Sequence, residues 1–551
     1  MIVLRNLLLA ILLLTALYSQ AQPPDGQGEI EKVEIEIIRD KQITLKKAER
    51  NFEKIPPRPA EPIKPAITYD LVNIPFTISE YNPSIRPLRA QSEVLPRLNG
   101  NYVAAGVGNF GSLYVESYLT TKRDRNKWYG AKIYHRGFST GPVDDKNSAS
   151  SQSSLGLFGT SFGKSVTTTG EFNYQDVGTY FYGYDPTEPV NRDTLRQRYG
   201  IFDLSVRFEN TKPADFNYAL SGTFSYLQDR LEAAESDVTL RFQSDYKVKD
   251  HRLRLDADYS LIARKDQAID AKPRNLLRLK PAYEFNILEN LVMQAGFNIA
   301  MEDDTLGKDK SVHIYPHVRA TYALTGGNTV IYAQFSGDMD KVNLHGLAAE
   351  NRWVASNIGI YHTNRSIDFS GGIQGKLAKK LNYEAGLSWA NLKNFYFFQN
   401  KAVQPEKFDV LYDLGNVKRS NLFASLAYDQ SEKLKLGIRA DYYSYFVDEL
   451  PEVWHRPTYR LRVNVLYTLV EKIIIRTDLI AQGGMKAFDA DLGKTVTLDN
   501  AWDVGLRLDY VLSPRFSVFA KGENLMGQEY PSFLGYPVRG IQLLGGLTWT
   551  F

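Results

Sequence analysis

Residues 541–551 read IQLLGGLTWTF, and their alternation decides how the rest of the chain is read. Ile541, Leu543, Leu547, Trp549 and Phe551 share one parity, whereas Gln542, Thr548 and Thr550 share the other. Successive side chains of an extended strand point to opposite faces, so this stretch is apolar on one side and polar on the other. A half-buried strand of a soluble sandwich alternates in the same way. The choice between sandwich and membrane barrel therefore falls to the preceding sequence.

From about residue 99 onward, period-two segments recur to the end. Leu253, Leu255, Ala257, Tyr259 and Leu261 oppose Arg252, Arg254, Asp256 and Asp258. Leu434, Leu436, Ile438, Ala440 and Tyr442 oppose Lys435, Gly437, Arg439 and Asp441, and Trp502, Val504, Leu506, Leu508 and Tyr510 oppose Asp503, Gly505, Arg507 and Asp509. About 22 such segments follow one another, each near the ~9–11 residues that cross a bilayer or modestly longer. A single sandwich rarely strings so many strands together.

The joins sort by parity. After even-numbered segments they are tight, as around Gly163, Lys247, Asn286, Thr325, Leu377, Asp429 and Ser513-Pro514. After odd-numbered segments they are mostly long, at 138–151, 184–196, 264–274, 340–358, 394–417, 483–498 and 527–539. Membrane barrels show this asymmetry, with the short turns periplasmic. Aromatic runs near strand ends, at Tyr180, Phe181 and Tyr182, at Phe395 through Phe398, and at Tyr442 through Phe446, suit girdles at the membrane interface.

The first hundred residues differ in composition. Arg5, an apolar run over 7–17 and Ser19-Gln20-Ala21 have the charged start, short hydrophobic core and small-residue exit of a secretory signal, assigned to 1–21. Over 22–96, Val33, Ile35 and Ile37 alternate with Glu34 and Glu36, and then prolines crowd in at 56, 57, 59, 62, 65, 75, 83 and 87. Proline removes backbone donors and fixes φ, so this extension is expected to be extended rather than a packed domain. It reads either as a periplasmic tether or as a strap lying inside the barrel assigned to 97–551.

Composition narrows the function. The 551 residues contain 66 Lys and Arg against 63 Asp and Glu, which gives no global field to attract nucleic acid. With no cysteine, disulfide frameworks, thiolate metal sites and cysteine nucleophiles are excluded. His313 and His317 share a strand face but stand roughly 13 Å apart in an extended chain, too far for one metal ion. The remaining histidines lack short-range partners. The pairs Gly371-Gly372 and Gly545-Gly546 sit within strands rather than ahead of helices, so they do not read as phosphate cradles. The chain is expected not to be an enzyme and to carry no cofactor or metal.

Two stretches go beyond a generic barrel. The run VFAKGENLMGQEYPSFLGYPVRGIQLLGGLTWTF, 518–551, resembles the end of TonB-dependent receptors, through Glu523, Asn524, Leu525, Tyr530, Gly535, Tyr536, Pro537, Arg539 and Gly540. The run VAAGVGNFGSLYVESYL, 103–119, is similar to the first barrel hairpin of that family. The resemblance implies a 22-stranded barrel. It also implies a terminal aromatic strand, with Trp549 and Phe551, that is read by the barrel assembly machinery. Family members carry a plug ahead of the barrel, for which the proline-rich extension is too short.

The expectation is thus an all-β protein, a large antiparallel transmembrane β-barrel of the outer membrane, involved in solute uptake or transport. The alternative is a plug-less structural or scaffold subunit of an outer-membrane complex. Its partners would be membrane lipid, the assembly machinery during insertion and a periplasmic or outer-membrane protein, but no nucleic acid. A barrel this wide needs closing. The closure is expected either from the proline-rich strap at 56–96 or from the loops 340–358 and 394–417 folding inward.

Overall fold

A computed structural model describes residues 100–551, apart from 123, 186, 188, 270, 305–310, 325, 432 and 491. The signal segment 1–21 and the extension 22–96, with its short strand at 33–38 and its strap, lie outside the described residues.

Twenty-two strands form one antiparallel sheet in which each strand bonds to the next in chain order. The first, Tyr102–Gly108, pairs with the last, Gln542–Thr550, from Tyr102 opposite Thr550 to Gly108 opposite Leu544. The sheet is therefore a closed barrel, and closure removes the unpaired edge an open sheet would present. An even number of antiparallel strands returns both ends of the sheet to one rim. There the Phe551 amide donates to the Asn101 carbonyl at 3.0 Å, and Lys122 Nζ donates to the Phe551 carbonyl at 2.7 Å.

The parity read from the sequence holds. In the strand Ala501–Val511, Leu508 is 40% exposed, with Trp502 and Tyr510 exposed beside it, whereas Asp509 is 7% exposed. Leu543, Leu547 and Trp549 of the last strand and Leu253 and Leu255 of the strand His251–Lys265 likewise point outward. The opposite parity carries ion pairs, some between neighbouring strands and some within one strand. Arg278 meets Asp258 at 2.9 Å, Arg365 meets Asp368 at 2.5 Å, and Asp509 takes Arg507 at 2.8 Å and Arg476 at 2.6 Å. An apolar exterior around a charged interior is the inverse of a soluble fold and is what a bilayer requires. The chain is a transmembrane barrel of the outer-membrane type.

The rims also follow the predicted alternation, with one correction. The segment 394–417, expected as a loop, is mostly strand: Leu381–Asn400 and Phe408–Asp429 run on as a ladder to the pair Asn400 and Phe408. The run Phe395-Tyr396-Phe397-Phe398 favours extended backbone. The register slips by one residue at Asn394, whose φ of 54° marks a bulge. Two of the three expected girdles are corrected for the same reason. Phe181, Tyr182, Phe397 and Phe398 are buried among rim segments beyond the lipid band, and of the three runs only that at Tyr442 and Phe446 is exposed at strand level. At the turn rim, Phe216 against Tyr246 and Phe516 against Trp549 form outward aromatic pairs.

The seam between first and last strands has its own fastening. Gly106 lies opposite Gly546, and Phe519 of the neighbouring strand Phe516–Glu523 lies over both. A methyl at Gly546 would sit 2.5 Å from Cζ of Phe519 and 2.2 Å from the Ala105 carbonyl oxygen, so only glycine admits the ring. Tyr114 meets Phe519 edge-on at 5.9 Å, and the Arg507 guanidinium lies 4.4 Å above the ring. Phe519→Leu keeps most of the apolar volume but loses the ring contacts, about 1 kcal/mol. The urea midpoint of barrel unfolding should fall accordingly; an unchanged midpoint would show that the seam does not depend on this ring.

Candidate functional site

Residues 341–362, between the strands Thr329–Asp340 and Thr363–Ala378, turn inward across the loop rim. The segment NLHGLAAE starts a helix, Leu344–Glu350, because the Asn343 side chain caps the Gly346 amide while Leu344, Leu347 and Ala348 fall on one apolar face. Glu235, on the strand Ala234–Val248, accepts the first-turn amides of Leu344 and His345 at 2.8 and 3.0 Å. Asp237 beside it holds Lys341 at 2.8 Å and Asn343 Nδ2 at 2.9 Å. A carboxylate at a helix start satisfies donors that have no partner within the helix.

The return path is tied around the rim. Trp353 Nε1 donates to the Tyr180 carbonyl, Tyr199 to the Arg352 carbonyl and Asp266 accepts the Asn357 amide, while Phe408 exchanges backbone bonds with Trp353 and Ala355. Glu350 meets Arg456 at 2.5 Å and the Tyr396 hydroxyl at 2.6 Å. The inward fold expected of 340–358 is observed, and this segment acts as a lid.

The motif residues near the C-terminus build the lid's counterpart. Asn524, with φ of 46°, donates through Nδ2 to the carbonyls of Gln528 and Arg539 and so closes the loop on itself. Tyr536 is fully buried against Trp353 at 3.9 Å and Tyr182 at 4.7 Å, with its hydroxyl on the Glu406 carbonyl. His455 stands beside it, with Nδ1 at 2.8 Å from the Phe398 carbonyl and Nε2 accepting the Leu534 amide at 3.3 Å. These contacts fix the neutral ring with its proton on Nδ1. Burial in the aromatic cluster, aided by the neighbouring Arg456, pushes its pKa down to about 4.

Between lid and counterpart lies a cavity of about 370 Å3, lined by Arg352, Arg539, Tyr182, Trp353, Asp503 and Tyr530 among others. Arg539 donates to the carbonyls of Thr140 and Ser148 and to Ser150 Oγ, with Phe138 4.3 Å below its guanidinium. Among the described residues Arg352 reaches only Gln152 Oε1, at 3.5 Å. Among the described residues neither is paired with a carboxylate, and burial lowers the pKa of both from the usual arginine value. Asp503 is occupied by the Asn524 amide and the Tyr530 hydroxyl. Glu350, also in the lining, is taken by Arg456 and Tyr396, so the cavity offers two half-buried cations and aromatic walls, a chemistry that accepts acidic, flat molecules.

The residues singled out in the sequence fall elsewhere. Trp549 points outward at the turn rim with Phe551 4.4 Å away, ring to ring. His313 bonds Glu302 and Asn364 in the wall, apart from His317. Among the described residues no three metal-binding side chains gather. Arg539, Tyr530 and Tyr536 were marked only through the motif, and Arg352, Glu235 and Asp237 were not marked. The available signal was the pair of acids on the inward parity, facing a segment that begins with a helix-capping asparagine.

No protein-family profile and no curated protein sequence matches the chain. Solved structures do match. The ferric-catecholate import receptor Fiu from Escherichia coli K12 has a TM-score of 0.62 at 11% identity, covering 83% of this chain and 82% of that one. The siderophore receptor PirA from Acinetobacter baumannii gives 0.62 at 10% over 82% and 80%, and the ferric enterobactin receptor PfeA from Pseudomonas aeruginosa 0.59 at 11% over 82% and 80%. The shared property is the fold, a 22-stranded barrel.

Proposed function

We propose that this barrel is a receptor-like protein of the outer membrane, which captures an anionic solute with flat or apolar surface under its lid and admits it to the cell. The observation that carries this reading is the pair Arg352 and Arg539, half-buried and, among the described residues, without carboxylate partners at an aromatic-walled cavity. Buried charge is costly unless a counter-charge arrives, so an acidic ligand stabilises what the free protein leaves open. Structural likeness to import receptors supports uptake, and no observation favours the scaffold reading. The leader 1–21, the extension 22–96 and a role for Trp549 and Phe551 in recognition by the assembly machinery belong to the same proposal.

The solute can be found by capture. The full-length protein in nanodiscs is incubated with culture extract, washed, and its retained small molecules are identified by mass spectrometry. Acidic compounds should be enriched. The double variant Arg352→Gln, Arg539→Gln should retain them at least tenfold less, since a lost charged hydrogen bond is worth about 1.5–3 kcal/mol. Equal retention by the variant would refute the site.

A further inference from the structure

A second cavity, of about 220 Å3, lies at the root of the lid and shares no lining residue with the first. One side of it is apolar, with Ile262, Ile358 and Ile360 buried and Ile269 and Pro273 beside them, and the rest is lined by Lys272, Arg274, Asp303 and Asp304. Arg264, at the rim end of the strand His251–Lys265, lines it with its side chain only 7% exposed. Nη2 of Arg264 donates to the Ile358 carbonyl at 2.6 Å, whereas Nε and Nη1 are buried with no hydrogen-bond partner among the described residues.

The nearby acids do not supply the missing acceptors. Asp266 approaches no nearer than 3.9 Å, and its two oxygens take the amides of Gln267 and Asn357. Asp303 takes the amide and side chain of Asn275, while Asp304 takes Arg274 and the His362 amide. Each of these three acids is engaged. A guanidinium has five N–H donors in a planar fork, and leaving two of its nitrogens buried without acceptors is costly.

The geometry points to a binding site for a small organic monocarboxylate, held by Arg264 with its hydrocarbon part among the isoleucines. One arginine matches one carboxylate, since the second N–H of Nη2 can join either free nitrogen in a two-point grip. Arg274 in the same lining is already held by Asp304 and the Val342 carbonyl, which leaves Arg264 as the arginine of this lining with nitrogens unpartnered among the described residues. A cavity of 150 Å3 holds benzene, so this one takes a body of about six to eight heavy atoms. The site is independent of the cavity between Arg352 and Arg539.

Hexanoate and benzoate are the probes, with hexanol as the uncharged control, titrated into the full-length protein in nanodiscs by calorimetry and saturation-transfer NMR. One saturable site is expected for at least one acid, with hexanol at least tenfold weaker. Arg264→Gln should weaken the acid at least tenfold. Ile269→Trp, which keeps the arginine and fills the cavity, should abolish binding, and heat-modifiable migration confirms that each variant is folded. Absence of saturable binding by both acids, equal binding of hexanol, or undiminished binding by either folded variant would each overturn the assignment.

Discussion

Arginine in place of Leu508 should sharply reduce the folded barrel recovered from outer membranes. The side chain faces lipid, and a cation there costs about 2–4 kcal/mol near the bilayer midplane, a large share of a domain's net stability. The measurement is the heat-modifiable fraction on unboiled gels. Near-normal recovery would reverse the parity assigned to the strand Ala501–Val511. Inward positions are not uniformly permissive either. Asp509 holds both Arg507 and Arg476, and Arg507 also covers Phe519. Asp509→Ala should cost on the order of 1 kcal/mol, because Arg476 is half exposed and can turn to water. The contrast between lipid and lumen faces survives, but it is one of degree.

Acid should loosen the lid while leaving the barrel closed. His455 has a pKa pushed down to about 4 by burial, against an ordinary value of 6.5, so the folded rim favours the neutral ring. Its contribution is fully present above pH 6.5 and is lost as pH falls from 6.5 to about 4. The size follows from the interval, roughly 3 kcal/mol at 1.36 kcal/mol per pH unit. Protonating Nε2 removes the acceptor for the Leu534 amide and places charge against the rings of Phe408 and Phe533. His362 adds in the same direction, since burial pushes it to about 3 and its Nδ1 accepts the Val342 amide at the other root of the lid. Protection of 341–362 against hydrogen exchange, corrected for the intrinsic rate at each pH, should fall between pH 6.5 and 4 while the barrel strands stay protected. His455→Gln, which lacks the titration, should flatten that dependence, and an unchanged pH profile in this variant would exclude His455 as its source.

How much of this was legible in the sequence depended on the range of the interaction. Parity is local. Leu508 against Asp509, or Leu547 against Thr548, tells which way a strand faces from adjacent residues alone. Strand number and the alternation of turns with long joins are sums of such local facts, and they matched. The ladder through Phe395 and Phe408 escaped because it continues beyond the membrane, where both faces are packed and the polar alternation that marks a wall strand fades. The site escaped more fully. Glu235, Asp237 and Arg264 occupy inward positions where any charged residue suits a wet lumen, and nothing near them in the chain shows that a segment about a hundred residues onward would lie across them. Tyr536 and Arg539 stood out through their motif, yet their contacts with Trp353 and Ser148 appear only once the rim is assembled.

The pairing of Tyr102 with Thr550 carries a consequence for biogenesis. Neighbouring strands can zip as they are delivered, each closing a short turn at small entropic cost. The seam joins segments from the two extremes of the barrel and must come last. Until then the growing sheet has two bare edges in an environment crowded with other unfolded chains. Shielding those two edges until they meet would therefore favour closure over misassociation. The small glycine patch under Phe519 would let the two edges approach closely before any side chain has to move.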